Sequence, residues 1–158
     1  LSPPRCPAGH RDAARDRVLK TGISLNNSNE QKAVDQIVLE RLKFKDPEDM
    51  KVLKVDEWAT GLRRGIASHH AGLIPIFKEI TEELFVKGLL KVVYATETLA
   101  LGVNLPARSV VLDKMTKFTV ENHEFLTSSQ FTQITGRAGR RGLDKEGHGI
   151  ILWSPFVE

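Results

Sequence analysis

The sequence predicts an α/β domain in which a mostly parallel sheet is flanked by helices. Three valine- or isoleucine-rich runs, "KVVYAT" at 91–96, "ARSVVL" at 107–112 and "GIILWS" at 149–154, show no alternation of polar and apolar residues. Such runs are typical of parallel strands that are covered on both faces. Helical patterns separate the runs, and this order indicates a three-layer fold whose ligands lie beyond the carboxyl ends of the strands.

Length and composition place the chain among ordinary globular domains. Its 158 residues are 41% hydrophobic and 27% charged, and the net charge is +3 without a basic tail. Any nucleic-acid affinity must therefore come from a local patch. The single cysteine, Cys6, excludes an internal disulfide. No apolar run approaches the ~18 residues of a membrane span. We expect a cytoplasmic protein without a membrane partner.

The first half of the chain is predicted to be mainly helical. Residues 1–10 hold three prolines and are predicted to be a loop or disordered, and the domain is expected to fill 11–158. Because the chain begins with Leu1, we expect a piece of a larger protein. Helices are predicted at 12–20, at 29–43 from the capping-box spacing of Ser28 and Gln31, and at 47–62 after Asp46 and Pro47.

The second half alternates strands with helices. A short buried strand is predicted around 66–68, followed by a helix over 75–87 that Gly88 ends. Residues 113–126 show no clear period and are predicted to form a long loop or a small hairpin. A last helix begins near Ser128, where Thr127 and Gln130 have capping-box spacing.

The segment "QITGRAGRRG", residues 133–142, is the strongest candidate for chemistry. It holds three arginines and no acidic residue, so its charge points to an external anion. If the last helix continues through the segment, Gln133, Arg137 and Arg140 share an arc of roughly 60° and Arg141 turns away. Paired guanidiniums suit a triphosphate, and the glycines allow close approach of another backbone. The structural alternative is a solvated basic helix end.

Two further segments carry candidate binding residues. Thr96 follows a predicted strand directly and is placed to cap a short helical turn that Gly102 ends, where free N–H groups bind a phosphate. Asn104 is a candidate for a sugar hydroxyl. His69 and His70 follow the first strand and cannot point the same way, and without a completing Cys, Asp or Glu we predict no metal site.

Nucleotide hydrolysis by this chain alone is not expected. The chain has no G-x-x-x-x-G-K-[ST] loop, and its one Asp-Glu pair, in "DEWA" at 56–59, falls inside a predicted helix.

Three segments in this order, "ASHHAGLIP", "VVYATETLALGVNLPAR" and "QITGRAGRRG", resemble the late motifs of superfamily-two DExH-box helicases. The resemblance is to their second RecA-like domain, and within the family to the exosome-associated or superkiller type of RNA helicase and its bacterial relatives. It is close over residues 60–155 and loose over 11–60. It implies a missing first RecA-like domain that carries the phosphate loop and most of the Mg²⁺ ligands. Since no strand is predicted at the start, the first strand of the sheet is expected to be missing.

The resemblance also implies residue roles. Gln133, Arg137 and Arg140 match the motif that faces the ATP phosphates, with Arg140 as arginine finger. The resemblance assigns the remaining site residues to ATP or to nucleic acid: Gly102 and Asn104 to the nucleotide, and His70, Ala71, Gly72, Thr96 and Glu97 to the nucleic-acid strand.

The leading hypothesis is the second motor domain of an ATP-dependent RNA helicase that acts on single-stranded RNA with RNA-degradation machinery. Two alternatives stay open. One is a DNA helicase of the related repair branch, because backbone contacts say little about the sugar. The other is a non-catalytic RecA-like module that binds nucleic acid or a protein.

Overall fold

The computed structural model describes residues 7–43, 46–96, 107–118 and 123–152. It divides into two compact units, Leu1–Leu99 and Ala100–Glu158. Together they contain parallel strands and flanking helices, as predicted. In the part of the chain that is described, no helix is long and apolar enough to cross a membrane.

The first unit contains five helices and two strands among its described residues. They are α1 (Pro7–Lys20), α2 (Ser28–Leu42), α3 (Pro47–Val52), α4 (Val55–Arg63), β1 (Ile66–His69), α5 (Pro75–Val86) and β2 (Val92–Ala95). Strands β1 and β2 are parallel, with Ile66 opposite Val92 and His69 opposite Ala95. The predicted strands and the helices near 29–43 and 75–87 are confirmed.

Two details of the predicted helices are corrected. Helix α1 begins at Pro7, so residues 7–10 are helical rather than loop. Proline suits this position because the first helical N–H has no partner within the helix. The N-cap of α2 is Asn27 rather than Ser28, and its side chain forms a reciprocal capping box with Glu30.

The predicted helix over 47–62 is broken in two. Lys54 adopts the left-handed conformation, with φ of 51°, and separates α3 from α4. Val55, Trp58 and Leu62 are buried at helical spacing after the break, whereas Val52 before it is exposed. The apolar face that packs on the core therefore begins only with α4.

The core of the first unit lies among α2, α4, α5 and β1. Trp58 and Phe77 stack with ring centroids 4.1 Å apart, and Ile80 and Leu84 are fully buried in the same hydrophobic cluster. Each such side chain contributes about 1.5–3 kcal/mol when it leaves water. Successive residues of β1 contact different helices, since Ser68 reaches α1 and His69 reaches α5. Because successive strand residues point to opposite faces, α1 and α5 cover β1 from its two sides.

The second unit contains four strands and one helix among its described residues. They are β3 (Ser109–Leu112), β4 (Thr116–Phe118), β5 (His123–Phe125), α6 (Ser128–Thr135) and β6 (His148–Ile151). Strands β3 and β6 are parallel, with Ser109 opposite His148. Strands β4 and β5 are antiparallel, which confirms the small hairpin predicted within 113–126.

Candidate functional site

The carboxyl ends of β1 and β2 bring together two of the predicted nucleic-acid segments. The backbone N–H of Thr96 donates to the carbonyl oxygen of His69 at 3.3 Å. The segments that follow β1 and β2 therefore leave the sheet side by side, at the carboxyl ends of the two strands. Ala71 and Gly72 follow as an exposed turn. The described members of the predicted nucleic-acid set therefore lie at one strand end of the first unit, where ligands of parallel sheets bind.

His70 is buried at this edge rather than exposed. Its side chain is only 5% exposed, and Nε2 lies 3.1 Å from Oδ2 of Asp12 on α1. The hydroxyl of Ser68 donates to the other carboxylate oxygen of Asp12 at 2.6 Å. In this arrangement His70 anchors the turn to α1, while Ala71 and Gly72 are exposed. The assignment of these residues to nucleic acid stays a prediction.

His69 turns the opposite way, which confirms that the two histidines diverge. Nε2 of His69 lies 2.8 Å from Oε1 of Glu82 on α5. Within the described ranges, no group of three or more His, Cys, Asp or Glu side chains lies together as a metal set.

Lys78 places a positive charge beside the exposed turn. Its ammonium donates to the carbonyl oxygen of Ala71 at 3.2 Å from the first turn of α5. The first turn of α5 contains no acidic residue, and the N-cap of this helix, Ile74, makes no side-chain cap bond. A lysine near a helix N-terminus interacts unfavourably with the helix dipole. This unfavourable position is the signal by which the sequence could have indicated a role for Lys78.

The last helix begins as predicted. Thr127 is its N-cap and forms the reciprocal capping box with Gln130. The helix ends at Thr135, however, with Gly136 as C-cap. Gln133 is therefore helical, whereas Arg137 and Arg140 are not.

The shared helical face predicted for Gln133, Arg137 and Arg140 is wrong. The helix has already ended at Thr135, and further along the loop Gly139 adopts a φ of +90°, a left-handed conformation that is not helical. Ala138 instead pairs in parallel with Ala107, the residue two before β3. The backbone N–H of Ala107 donates to the carbonyl oxygen of Arg137 at 3.0 Å, and that of Gly139 donates to the carbonyl oxygen of Ala107 at 2.8 Å.

The glycine-rich loop does allow close backbone approach, as predicted. A Cβ on Gly139 would lie 3.2 Å from Cα of Gly147. A Cβ on Gly147 would overlap the carbonyl group of Ala138. Gly147 lies outside the arginine segment and was not singled out from the sequence. It is required because two backbones touch where the loop passes the residue before β6.

The charge of the arginine segment is partly balanced, contrary to its interpretation as unpaired. Arg140 donates from Nε and Nη2 to the carboxylate of Asp144 at 2.8 and 2.9 Å. These hydrogen bonds, followed by one from the backbone N–H of Arg140, hold the pKa of Asp144 well below its usual range. An acidic residue four positions after an arginine was the available signal.

Three predicted site residues, Glu97, Gly102 and Asn104, lie outside the described residues, as does the helical turn predicted after Thr96. Gln133 is exposed and Arg137 is half-buried in the second unit.

The comparisons with known proteins agree on one family. A model described as helicase conserved C-terminal domain matches residues 23–142. Probable helicase HelY of Mycobacterium tuberculosis is 47% identical over 147 residues, which are 93% of this chain and 16% of that protein. The DExH-box ATP-dependent RNA helicase DExH9 of Arabidopsis thaliana is 41% identical over 85% of this chain and 14% of its own length. The exosome RNA helicase MTR4 of Homo sapiens is 39% identical over 84% of this chain and 13% of its own length.

The chain thus spans about one sixth or less of each of these relatives. The matched residues 23–142 include the turn after β1, Thr96 after β2 and the arginine loop. The strands and flanking helices described above are those of a RecA-like fold. The chain belongs to the helicase conserved C-terminal domain family.

Proposed function

We propose that this chain is the second motor domain of an ATP-dependent RNA helicase. The observation that carries the proposal is the loop of Arg140, which is fixed by backbone bonds to Ala107 and leaves the Arg140 side chain 41% exposed. A fixed and accessible guanidinium suits an arginine finger. Relatives at 41% and 39% identity bear the names of RNA helicases, which supports the same activity.

In this proposal ATP binds between this domain and a first domain outside the chain. Arg140 stabilises the negative charge on the transferred phosphoryl group, a contribution worth about 10³–10⁵ in rate for arginine fingers. Gln133 and Arg137 face the phosphates, and Gly102 and Asn104 face the rest of the nucleotide. The chain contains no phosphate loop, so we expect no ATP turnover from it alone.

The described residues do not fit a Mg²⁺ site. They bring no group of three or more possible metal-ligating side chains together. Carboxylates and phosphate oxygens are the ligands that Mg²⁺ prefers. We therefore assign Mg²⁺ mainly to the first domain.

The RNA strand is proposed to lie along the carboxyl edge of β1 and β2. The exposed backbone of Ala71 and Gly72, together with Thr96 and Glu97, contacts the phosphate backbone. Buried His70 supports the turn from beneath, and Lys78 adds positive charge beside it. Phosphate contacts of this kind position the strand without reading its sequence.

Single-stranded RNA and RNA-degradation machinery are the proposed partners, and the cytoplasm is the proposed location. The name of the human relative, an exosome RNA helicase, supports the degradation role. The single cysteine is compatible with a reducing compartment.

Arg140→Ala in the full-length protein tests the proposal. We expect the variant to lose RNA-stimulated ATP hydrolysis and to keep its affinity for single-stranded RNA. Arg141→Ala is the matched control, because Arg141 is adjacent and exposed but makes no predicted phosphate contact. An Arg140→Ala variant that hydrolyses ATP at the wild-type rate would refute the proposal.

A second measurement separates RNA from DNA. Unwinding of matched RNA and DNA duplexes with single-stranded tails is compared at one salt concentration, because phosphate contacts make binding strongly salt-dependent. Faster unwinding of RNA is expected. Faster unwinding of DNA would support the alternative of a repair-type DNA helicase. Absence of unwinding with both duplexes would support the alternative of a non-catalytic binding module.

A further inference from the structure

A single carboxylate holds both ends of Arg140. Oδ2 of Asp144 accepts from Nε of Arg140 at 2.8 Å and from its backbone N–H at 3.0 Å, and Oδ1 accepts from Nη2 at 2.9 Å. The carboxylate therefore fixes the guanidinium relative to the backbone from which the side chain starts.

Arg140 and Asp144 are the first and last residues of a hydrogen-bonded turn. The carbonyl oxygen of Arg140 accepts from the backbone N–H groups of Leu143 at 3.0 Å and of Asp144 at 2.9 Å. The side chain of Asp144 is 9% exposed, whereas that of Arg140 is 41% exposed. The acid thus lies on the inside of the turn, and the guanidinium lies between the acid and solvent.

The bonds to Asp144 use only one edge of the guanidinium. An arginine side chain carries five N–H donors, and the carboxylate occupies the one on Nε and one on Nη2. One donor on Nη1 and the second donor on Nη2 form a second edge of the guanidinium. Among the described residues no hydrogen bond uses Nη1 of Arg140. That second edge has the geometry to bind two phosphate oxygens side by side.

We propose that Asp144 is a positioning residue that presents the outer edge of Arg140 to the phosphates of ATP. The inference rests on the proposed function of Arg140 as arginine finger. Asp144 itself touches no phosphate in this scheme. It removes the rotational freedom that a long side chain would otherwise lose when the transition state forms.

A competing role makes the opposite prediction. If Asp144 mainly neutralises Arg140 and competes with ATP for it, removing the carboxylate would free the guanidinium and raise kcat. If Asp144 only stabilises the turn, its loss would lower the melting temperature and leave kcat unchanged in the protein that remains folded.

The test measures RNA-stimulated ATP hydrolysis by the full-length protein. Asp144→Ala is expected to lower kcat by about 10- to 100-fold, the range that misplacement of a catalytic group produces, with KM for ATP changed less than about threefold. Asp144→Asn, which keeps the size and one acceptor oxygen, should lie between Asp144→Ala and wild type. Glu146→Gln is the matched control, since Glu146 is an exposed acid two residues on.

A double-mutant cycle tests whether the effect of Asp144 on kcat depends on Arg140. Because Asp144 acts only through Arg140, the Arg140→Ala/Asp144→Ala protein should be no slower than Arg140→Ala. A further loss in the double variant would overturn the inference. A kcat at or above wild type in Asp144→Ala would also overturn it.

The cycle also separates this inference from the proposed function. If Arg140→Ala keeps wild-type ATP hydrolysis, the arginine-finger assignment fails and the inference fails with it. If Arg140→Ala is inactive while Asp144→Ala is fully active, only the positioning role fails. Melting temperatures are measured for every variant, and Asp144→Asn carries the kcat test if Asp144→Ala does not fold.

Discussion

Oδ2 of Asp12 on α1 lies 3.1 Å from Nε2 of His70 at the end of β1, although the two residues are 58 positions apart. Because an ionised carboxylate only accepts hydrogen bonds, Nε2 carries the proton of this bond. Asp12 precedes residues 23–142, the part that the family model matches. Helix α1 is therefore tied to the candidate nucleic-acid turn by a residue outside the matched segment.

Asp12→Ala should destabilise the protein by about 1–3 kcal/mol, because it leaves the buried hydroxyl of Ser68 and the buried ring of His70 without their acceptor. The midpoint of urea unfolding measures this loss. Asp16→Ala on the same helix is the control. Asp16 pairs with Arg15 while 48% exposed, and such surface pairs contribute less than about 1 kcal/mol. Equal losses in both variants would contradict the prediction.

Leu84→Ala should cost about 2–5 kcal/mol, because Leu84 is fully buried in the core of the first unit and its removal leaves a cavity. Leu39→Ala is the matched control, since Leu39 is 70% exposed on α2. Thermal and urea unfolding of the two variants should separate clearly. Similar stabilities of the two variants would contradict the burial of Leu84 in this core.

Gly147→Ala should disturb the arginine loop, because the added Cβ would overlap the backbone carbonyl group of Ala138 and no side-chain rotation relieves it. Overpacking of this kind costs about 1–3 kcal/mol. We expect lower stability and slower ATP hydrolysis in the full-length protein. Gly149→Ala, two residues along, is the control, because its Cβ would lie 3.4 Å from Cγ2 of Thr135, an ordinary contact. Normal ATP hydrolysis by Gly147→Ala would contradict the prediction.

Asp144 should remain ionised in acid. The hydrogen bonds from the guanidinium and backbone of Arg140 lower the pKa of Asp144, so the folded state is stabilised when this carboxyl is charged. The contribution is complete above the ordinary Asp pKa of ~3.9 and is lost as pH falls from there through the lowered pKa of the folded state. Carboxyl-carbon NMR shifts followed from neutral to acidic pH should show Asp144 titrating well below ~3.9. In Arg140→Ala the titration should return towards that value, and an unchanged titration would contradict the assigned cause.

The local elements of this fold could be predicted from the sequence because their signals are local. Thr127 with Gln130 marks the start of α6, and Pro75 with Gly88 brackets α5. The valine- or isoleucine-rich runs form parallel strands, as their apolar character predicted. The expected burial on both faces is wrong for the second unit, where β6 is exposed along its length and β3 is buried only at Leu112.

The breaks within helical patterns could not be predicted in the same way. Lys54 has no unusual propensity for positive φ, and its left-handed conformation follows from where Trp58 and Leu62 must pack. Gly139 did carry a local signal, but the loss of the helix there also depends on the pairing of Ala138 with Ala107, about thirty residues away.

For the candidate site too, the local features could be predicted from the sequence and the long-range contacts could not. The motifs located the turn after β1 and the arginine loop, because each is a continuous stretch of sequence. The side chains that hold the turn after β1, Asp12 and Lys78, gave no motif. Asp12 acts across more than fifty residues, and Lys78 is recognisable only as an unfavourable charge at a helix start.

The pairing of Ala107 with Ala138 links the arginine loop to the residues that directly precede β3. Ala107 is preceded directly by residues 97–106, the stretch that holds Glu97, Gly102 and Asn104, and Ala138 lies between Arg137 and Arg140. Two backbone hydrogen bonds, spaced one on each side of Ala138, resist sliding and rotation of one strand against the other. A displacement at residue 107 is therefore passed on to the arginine loop as a shift of its whole backbone. Ala107 and the arginine loop therefore move together, and the positions of the guanidiniums depend on this backbone pairing as well as on side-chain rotamers.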